Sequence, residues 1–164
     1  MRVSTLVFLL IALAPVCAFA TAQITNEILI DGKSRMLFSG PFIPYLSDPS
    51  EQAKLKSYLS GALCSASWRG YRAHWKIQDT QLLLVTLVAD PCDQSPKDIP
   101  LTAFFPNHSG PVPATWFSGK LVVPMGKLVK SVRSGYQSRY EWYVVLTVGK
   151  GARSPSPLTR IAAS

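Results

Sequence analysis

Trp68, Arg69 and Tyr71 crowd together in the run CSASWRGYRAHW, and Arg133, Tyr136 and Arg139 repeat the same mixture of aromatic and guanidinium side chains in SVRSGYQSRY. Aromatic rings stack on sugar rings and other flat groups, and guanidinium forks hold carboxylates and phosphates. Gathered at the mouth of a cleft, these residues form a binding site. Residues suited to catalysis or metal binding are more scattered. The histidines are His74 and His108, and neither C-x-x-C nor H-E-x-x-H occurs, so no metal site is read. His108 and Ser109 adjoin in a turn-like stretch, without the separate base and orienting group that a nucleophile needs. There is no G-x-S-x-G, no P-loop and no dinucleotide fingerprint. Asp79, Asp90, Asp93, Asp98 and Glu141 could supply a carboxylate pair for acid–base work. Most of them fall in predicted turns, where Asp serves its own backbone. The residues therefore predict no catalytic set and no cofactor.

The elements that must position these groups are mostly strands. Residues 71–78 split at period two into an apolar row, Tyr71, Ala73, Trp75 and Ile77, and a polar row, Arg72, His74, Lys76 and Gln78. The Asp79–Thr80 turn then leads into LLLVTLV, completing a hairpin. An earlier hairpin is predicted from QITNEILI and KSRMLF around Asp31–Gly32. The twice proline-broken SGPFIPYL reads as loop. One helix is predicted in SDPSEQAKLKSYLSG. Asp48 caps it, Pro49 opens it, Glu51 completes a capping box, and Ala53, Leu55, Tyr58 and Leu59 form its inner face.

Residues 90–100 read as a loop. TWFSGKLVVP predicts a strand with Phe117, Gly119, Leu121 and Val123 inside, ended by a turn at Met125–Gly126. RYEWYVVLTV predicts another strand, with Tyr140, Trp142, Val144, Leu146 and Val148 inside. In this reading Trp75 and Trp142 are core, and Arg69 packs or pairs with Glu141. The fold class is mainly β: a small antiparallel β-sandwich or barrel of about seven or eight strands with one short α-helix.

Arg2, the apolar run STLVFLLIALAPV and the small residues before Gln23 have the pattern of a secretory signal peptide, assigned to residues 1–22. Residues 23–151 then form a single β-rich domain, and the Pro- and Ser-containing residues 152–164 a flexible tail. No later segment is long and apolar enough to span a bilayer as a helix. In an oxidising compartment Cys64 and Cys92 are expected to pair, closing a loop worth about 3.5 kcal/mol in the chain-entropy model.

The formal charge of +8 is uneven. Basic and acidic residues cancel across 23–119, whereas Lys120, Lys127, Lys130, Arg133, Arg139, Lys150, Arg153 and Arg160 face only Glu141 in the last third. Such a basic face attracts an envelope polymer, an anionic lipid or an acidic protein. With no nucleic-acid motif in an exported chain, nucleic acid is not expected.

The blocks WRGYRAHWKI, ATWFSGKLVVPMGKL and SGYQSRYEWYVVLTVGKG resemble those of uncharacterised bacterial exported proteins, with W-R-G-Y-x-A-x-W-x-I and W-F-S/T-G-x-L-x-I-P-x-G patterns. The resemblance spans roughly residues 64–151. It implies bacterial export, to the periplasm or beyond, and carries no activity with it. Asp79–Thr80 departs from the Asp-Gly or Asp-Asn turn that is similar in those proteins. Together these features predict a non-enzymatic binding domain of the envelope, of the kind that serves as an inhibitor or immunity-type factor for an anionic or protein partner. The alternative is an envelope enzyme acting on glycan or peptide through a carboxylate pair.

Overall fold

In a computed structural model, residues 23–61, 64–132, 136–154 and 159–162 are described. The expected signal peptide and Arg133 lie outside them. The chain opens with a hairpin, β1 (Asn26–Ile30) and β2 (Lys33–Leu37), turning at Asp31–Gly32. Helix α1 (Pro49–Tyr58) follows, and then a second hairpin, β3 (Tyr71–Gln78) and β4 (Gln81–Ala89). Short strands β5 (Lys97–Ile99) and β6 (Val112–Pro113) lean on β4. The long strands β7 (Gly119–Lys130) and β8 (Arg139–Gly149) form a third hairpin. Short strands β9 (Ala152–Arg153) and β10 (Thr159–Ala162) complete the sheet.

Among the described residues all ten strands join one sheet, in which β10-β8-β9-β4-β3-β1-β2 is a continuous path. The chain just past β2 closes it onto β7: the Phe38 N–H donates to the Val122 carbonyl at 2.9 Å. The Ser39 hydroxyl donates to the Lys120 carbonyl and accepts from the Val122 N–H, each at 2.9 Å. The result, among the described residues, is a nearly closed, barrel-like sheet with one α-helix, as the sequence predicts. One pairing departs from antiparallel: β1 lies parallel to β3. β2 already brings the chain back to the end where β1 starts, and the residues linking β2 to β3, which include α1, carry it past β1 to begin β3 on the other side.

The period-two split holds. Tyr71, Ala73 and Trp75 on β3, Leu121 and Val123 on β7, and Val144, Leu146 and Val148 on β8 are all buried in one cluster with Ile28, Leu37, Leu84 and Leu87. Buried Asn26 sits among them because both ends of its amide are used: Nδ2 donates to the Ser39 carbonyl at 2.8 Å, and Oδ1 accepts from the Ala73 N–H at 3.1 Å. That satisfies a polar group which would otherwise be costly to bury.

Several expectations change. Of the predicted inner face of α1 only Leu55 is buried; Ala53 and Tyr58 are exposed and Leu59 is half-buried. The Asp48 cap is present, accepting from the Ser50 N–H at 2.8 Å, but Glu51 turns to Lys54 Nζ at 2.8 Å. The proline-broken loop supplies Phe42, fully buried against Tyr45, Phe104 and Trp116. Thr115–Ser118 is not strand, and the expected stop at Met125–Gly126 is a bulge through which β7 continues. Gly126 has φ +75°, and the Glu141 carboxylate fills the space a Cβ would need. Glu141 therefore accepts from the Lys127 N–H at 2.9 Å and does not pair with Arg69. Part of the stretch expected as a loose tail forms β9 and β10, because β8 offers a second edge with unpaired backbone groups.

Cys64 and Cys92 form a disulfide. Replacing both with Ser is expected to lower unfolding free energy by about 2–4 kcal/mol in denaturant titrations. An unchanged midpoint would show that the bond constrains nothing the folded chain does not already hold.

Candidate functional site

The segment before β3 is built to hold side chains at the surface. Its backbone is pinned four ways. Cys64 is tied to Cys92, the Ala66 carbonyl accepts from the Ile24 N–H at 2.6 Å, the Ser65 carbonyl accepts from Gln23 Nε2 at 2.7 Å, and the Gly70 carbonyl accepts from the Asp90 N–H at 2.8 Å. Gly70 has φ +72°, and a Cβ there would lie 2.7 Å from a Leu59 methyl. Only glycine allows both that backbone turn and the close approach of the end of α1. The consequence is a groove between α1 and this segment.

The groove has a volume of about 430 Å³ and an apolar floor of Leu46, Leu55, Leu59 and Tyr71. Trp68 lines it with 69% of its surface exposed. Gln52, Lys56 and Arg69 supply polar groups. The other tryptophans are committed to packing: Trp75 is buried, Trp116 stacks on Phe105 and donates to the Pro41 carbonyl at 2.9 Å, and Trp142 is covered by the Arg160 guanidinium at 3.8 Å.

Arg69 organises the cluster. Its guanidinium lies 5.6 Å from the ring centres of both Tyr71 and Tyr136, and it donates to the Tyr136 hydroxyl and, at 3.4 Å, to the Ile24 carbonyl. Tyr136 in turn stacks on Phe38 at 5.4 Å. Burial pushes the Tyr136 hydroxyl above the usual phenol range, with Arg69 pulling the other way. Tyr71 is only 3% exposed, and its hydroxyl has no hydrogen-bond partner among the described residues. Burial pushes that hydroxyl up to about 12, against the opposing field of Arg69, so it remains a neutral donor.

Of the sequence-predicted site residues, Trp68, Arg69, Tyr71 and Tyr136 thus come together. Arg139 stands exposed at the start of β8, opposite Lys130, and Arg133 lies outside the described residues. The groove's helical wall was missed. Leu46, Gln52 and Lys56 carry no signal beyond ordinary helix and loop composition. The carboxylates are dispersed: Asp79 and Asp90 occupy turns at positive φ, and Asp90 Oδ2 accepts from the Ser60 N–H at 2.9 Å. Asp90 and Asp93 share a hollow of about 190 Å³ beside the disulfide. His108 and Ser109 line a separate hollow of about 420 Å³ with Asp98. Among the described residues no three His, Cys, Asp or Glu gather as metal ligands, and no helix is long and apolar enough to cross a membrane.

Comparison with known proteins finds no matching family model, no matching curated protein and no matching solved structure.

Two outcomes test the electrostatics. Tyr71→Phe removes an unpartnered buried hydroxyl, so stability is expected to stay level or rise by up to about 1 kcal/mol. A larger loss in denaturant melts would mean the hydroxyl is structural. His74, on the outer row of β3, is held below its ordinary pKa of 6.5 chiefly by burial and also by Arg72, against Glu27 and Asp98. The unfolded chain takes up this proton first. The corresponding stability is present above about pH 6.5 and is lost as pH falls through the folded value. His74→Gln is expected to flatten the decline in Tm on the acid side. An identical slope would assign the decline to other groups.

Proposed function

We propose that this chain is an exported, non-enzymatic binding domain of the bacterial envelope, and that its groove receives an apolar side chain of an acidic protein partner. The observation that carries this reading is Trp68, a large ring 69% exposed beside an apolar groove of about 430 Å³. Leaving such a ring in water forfeits a large burial gain, and Trp, Tyr and Arg are the types that dominate binding hot spots. Here all three types adjoin within one pinned segment. The floor is apolar and concave, which suits an aliphatic or aromatic side chain.

Lys56 and Arg69 set the charge preference. A carboxylate next to the anchoring side chain would meet both, and the neutral Tyr71 hydroxyl is available as a donor if the groove opens on binding. An immunity-type or inhibitory role suits a rigid, disulfide-tethered segment, since a preorganised surface loses little entropy on binding. Periplasmic or secreted placement rests on the signal-like N-terminus and is compatible with the Cys64–Cys92 bond.

Panning random phage-displayed peptides on the oxidised protein tests this. The expected consensus is an aromatic or aliphatic residue beside Asp or Glu, with affinity falling at least about tenfold for Trp68→Ala at unchanged Tm. No enrichment, or a consensus indifferent to Trp68→Ala and Leu46→Glu, would overturn the assignment.

A further inference from the structure

The far half of the β7–β8 hairpin is unlike the rest of the sheet. Near its start β7 buries Leu121 and Val123, but beyond the Gly126 bulge residues 126–131 are all exposed. Leu128 and Val129 are 50% and 59% exposed. The register with β8 slips on either side of Leu128, and Tyr140, opposite it, turns to Phe38 and Met36. Leu128 and Val129 thus stand as an exposed apolar pair beyond the bulge.

Its surroundings are cationic. Lys127 and Lys130 flank the apolar pair, and Arg139 lies opposite Lys130. The nearby carboxylate, Glu141, is exposed and accepts from the Lys127 N–H at 2.9 Å, leaving three cations against one acid. Two apolar side chains fall far short of the roughly 800 Å² that each partner of a stable protein complex contributes. A lipid interface asks less: a few aliphatic groups to enter it and cations to meet its headgroups. Leucine and valine enter the acyl boundary, while the lysine stems run along it and leave their ammonium groups among the phosphates.

We propose that this distal half of the hairpin docks on an anionic lipid bilayer. The contact is peripheral: Leu128 and Val129 insert, and Lys127, Lys130 and Arg139 meet the headgroups. The inference is independent of the groove reading, because it uses none of the residues that line the groove.

Co-sedimentation of the purified, oxidised protein with vesicles tests it. Binding is expected to vesicles mixing phosphatidylglycerol with phosphatidylcholine, and at least about tenfold weaker binding to phosphatidylcholine alone. Each of Lys127→Gln and Lys130→Gln should weaken binding by about fivefold at low salt, from roughly one unit of headgroup attraction per cation. The pair Leu128→Ser and Val129→Ser keeps the charge and should remove the binding that survives physiological salt, with Tm unchanged. Failure to bind the anionic vesicles would overturn the proposal. So would binding that the Leu128→Ser and Val129→Ser pair leaves intact, since the basic charge alone would then explain it. Trp68→Ala should have no effect on sedimentation, so loss of peptide binding and loss of vesicle binding can be told apart.

Discussion

An open sheet leaves a row of unpaired N–H and C=O groups along each edge, and much of this molecule follows from how that problem is solved. Ser39 does it with one hydroxyl. Donating to the Lys120 carbonyl, 81 residues on, and accepting from the Val122 N–H, it carries the ladder across the gap between β2 and β7. With the Phe38 N–H on the Val122 carbonyl, this draws the first hairpin against the third. Asn26 ties the same corner to β3 by binding the Ser39 carbonyl and the Ala73 N–H together. Three strands thus meet through two small polar side chains, and the apolar rows of β3, β7 and β8 face one interior.

The site inherits its geometry from that closure. Phe38, held beside β7, is the ring on which Tyr136 stacks, and Tyr136 accepts from Arg69. The guanidinium is thereby occupied by aromatic faces and neutral oxygens, with no carboxylate paired to it among the described residues. A cation held by neutral groups keeps its charge available to a ligand, whereas a paired one has already spent it. The disulfide and Gly70 bring α1 alongside this cluster from the other direction, and the groove is the space they leave. On the opposite economy, the proximal parts of β7 and β8 supply core while their distal parts carry exposed cations and aliphatic groups. One long hairpin serves two environments because the bulge at Gly126 separates them.

Much of the fold was legible because strand alternation is local. The rows of Tyr71, Ala73 and Trp75, and of Val144, Leu146 and Val148, can be read from backbone geometry without knowing what covers them. The Asp48 cap and the Asp31–Gly32 turn are likewise set within a few residues. The errors share a different cause. Phe42 lies in a loop, as its flanking prolines imply, yet its burial depends on Phe104 and Trp116, more than sixty residues along the chain. Met125–Gly126 has turn composition, but the pairing of β7 with β8 outweighs it and converts the turn into a bulge. The inner face of α1 failed because the helix meets the body mainly through Leu55, too narrow a contact to be inferred from its apolar residues.

The same division holds for the candidate site. From the sequence by itself came the strand rows, the cysteine pair, the basic last third and the suspicion attached to Trp68, Arg69, Tyr71 and Tyr136, because residue type and local period state those directly. Only the tertiary structure decided that Trp68 stays in solvent while Trp75 is enclosed, that Arg69 turns to Tyr136 and not to Glu141, and that α1 provides a wall for the groove. Those outcomes depend on which distant surfaces meet. A tryptophan has the same composition and propensity in either setting, and what separates the two is the packing around it.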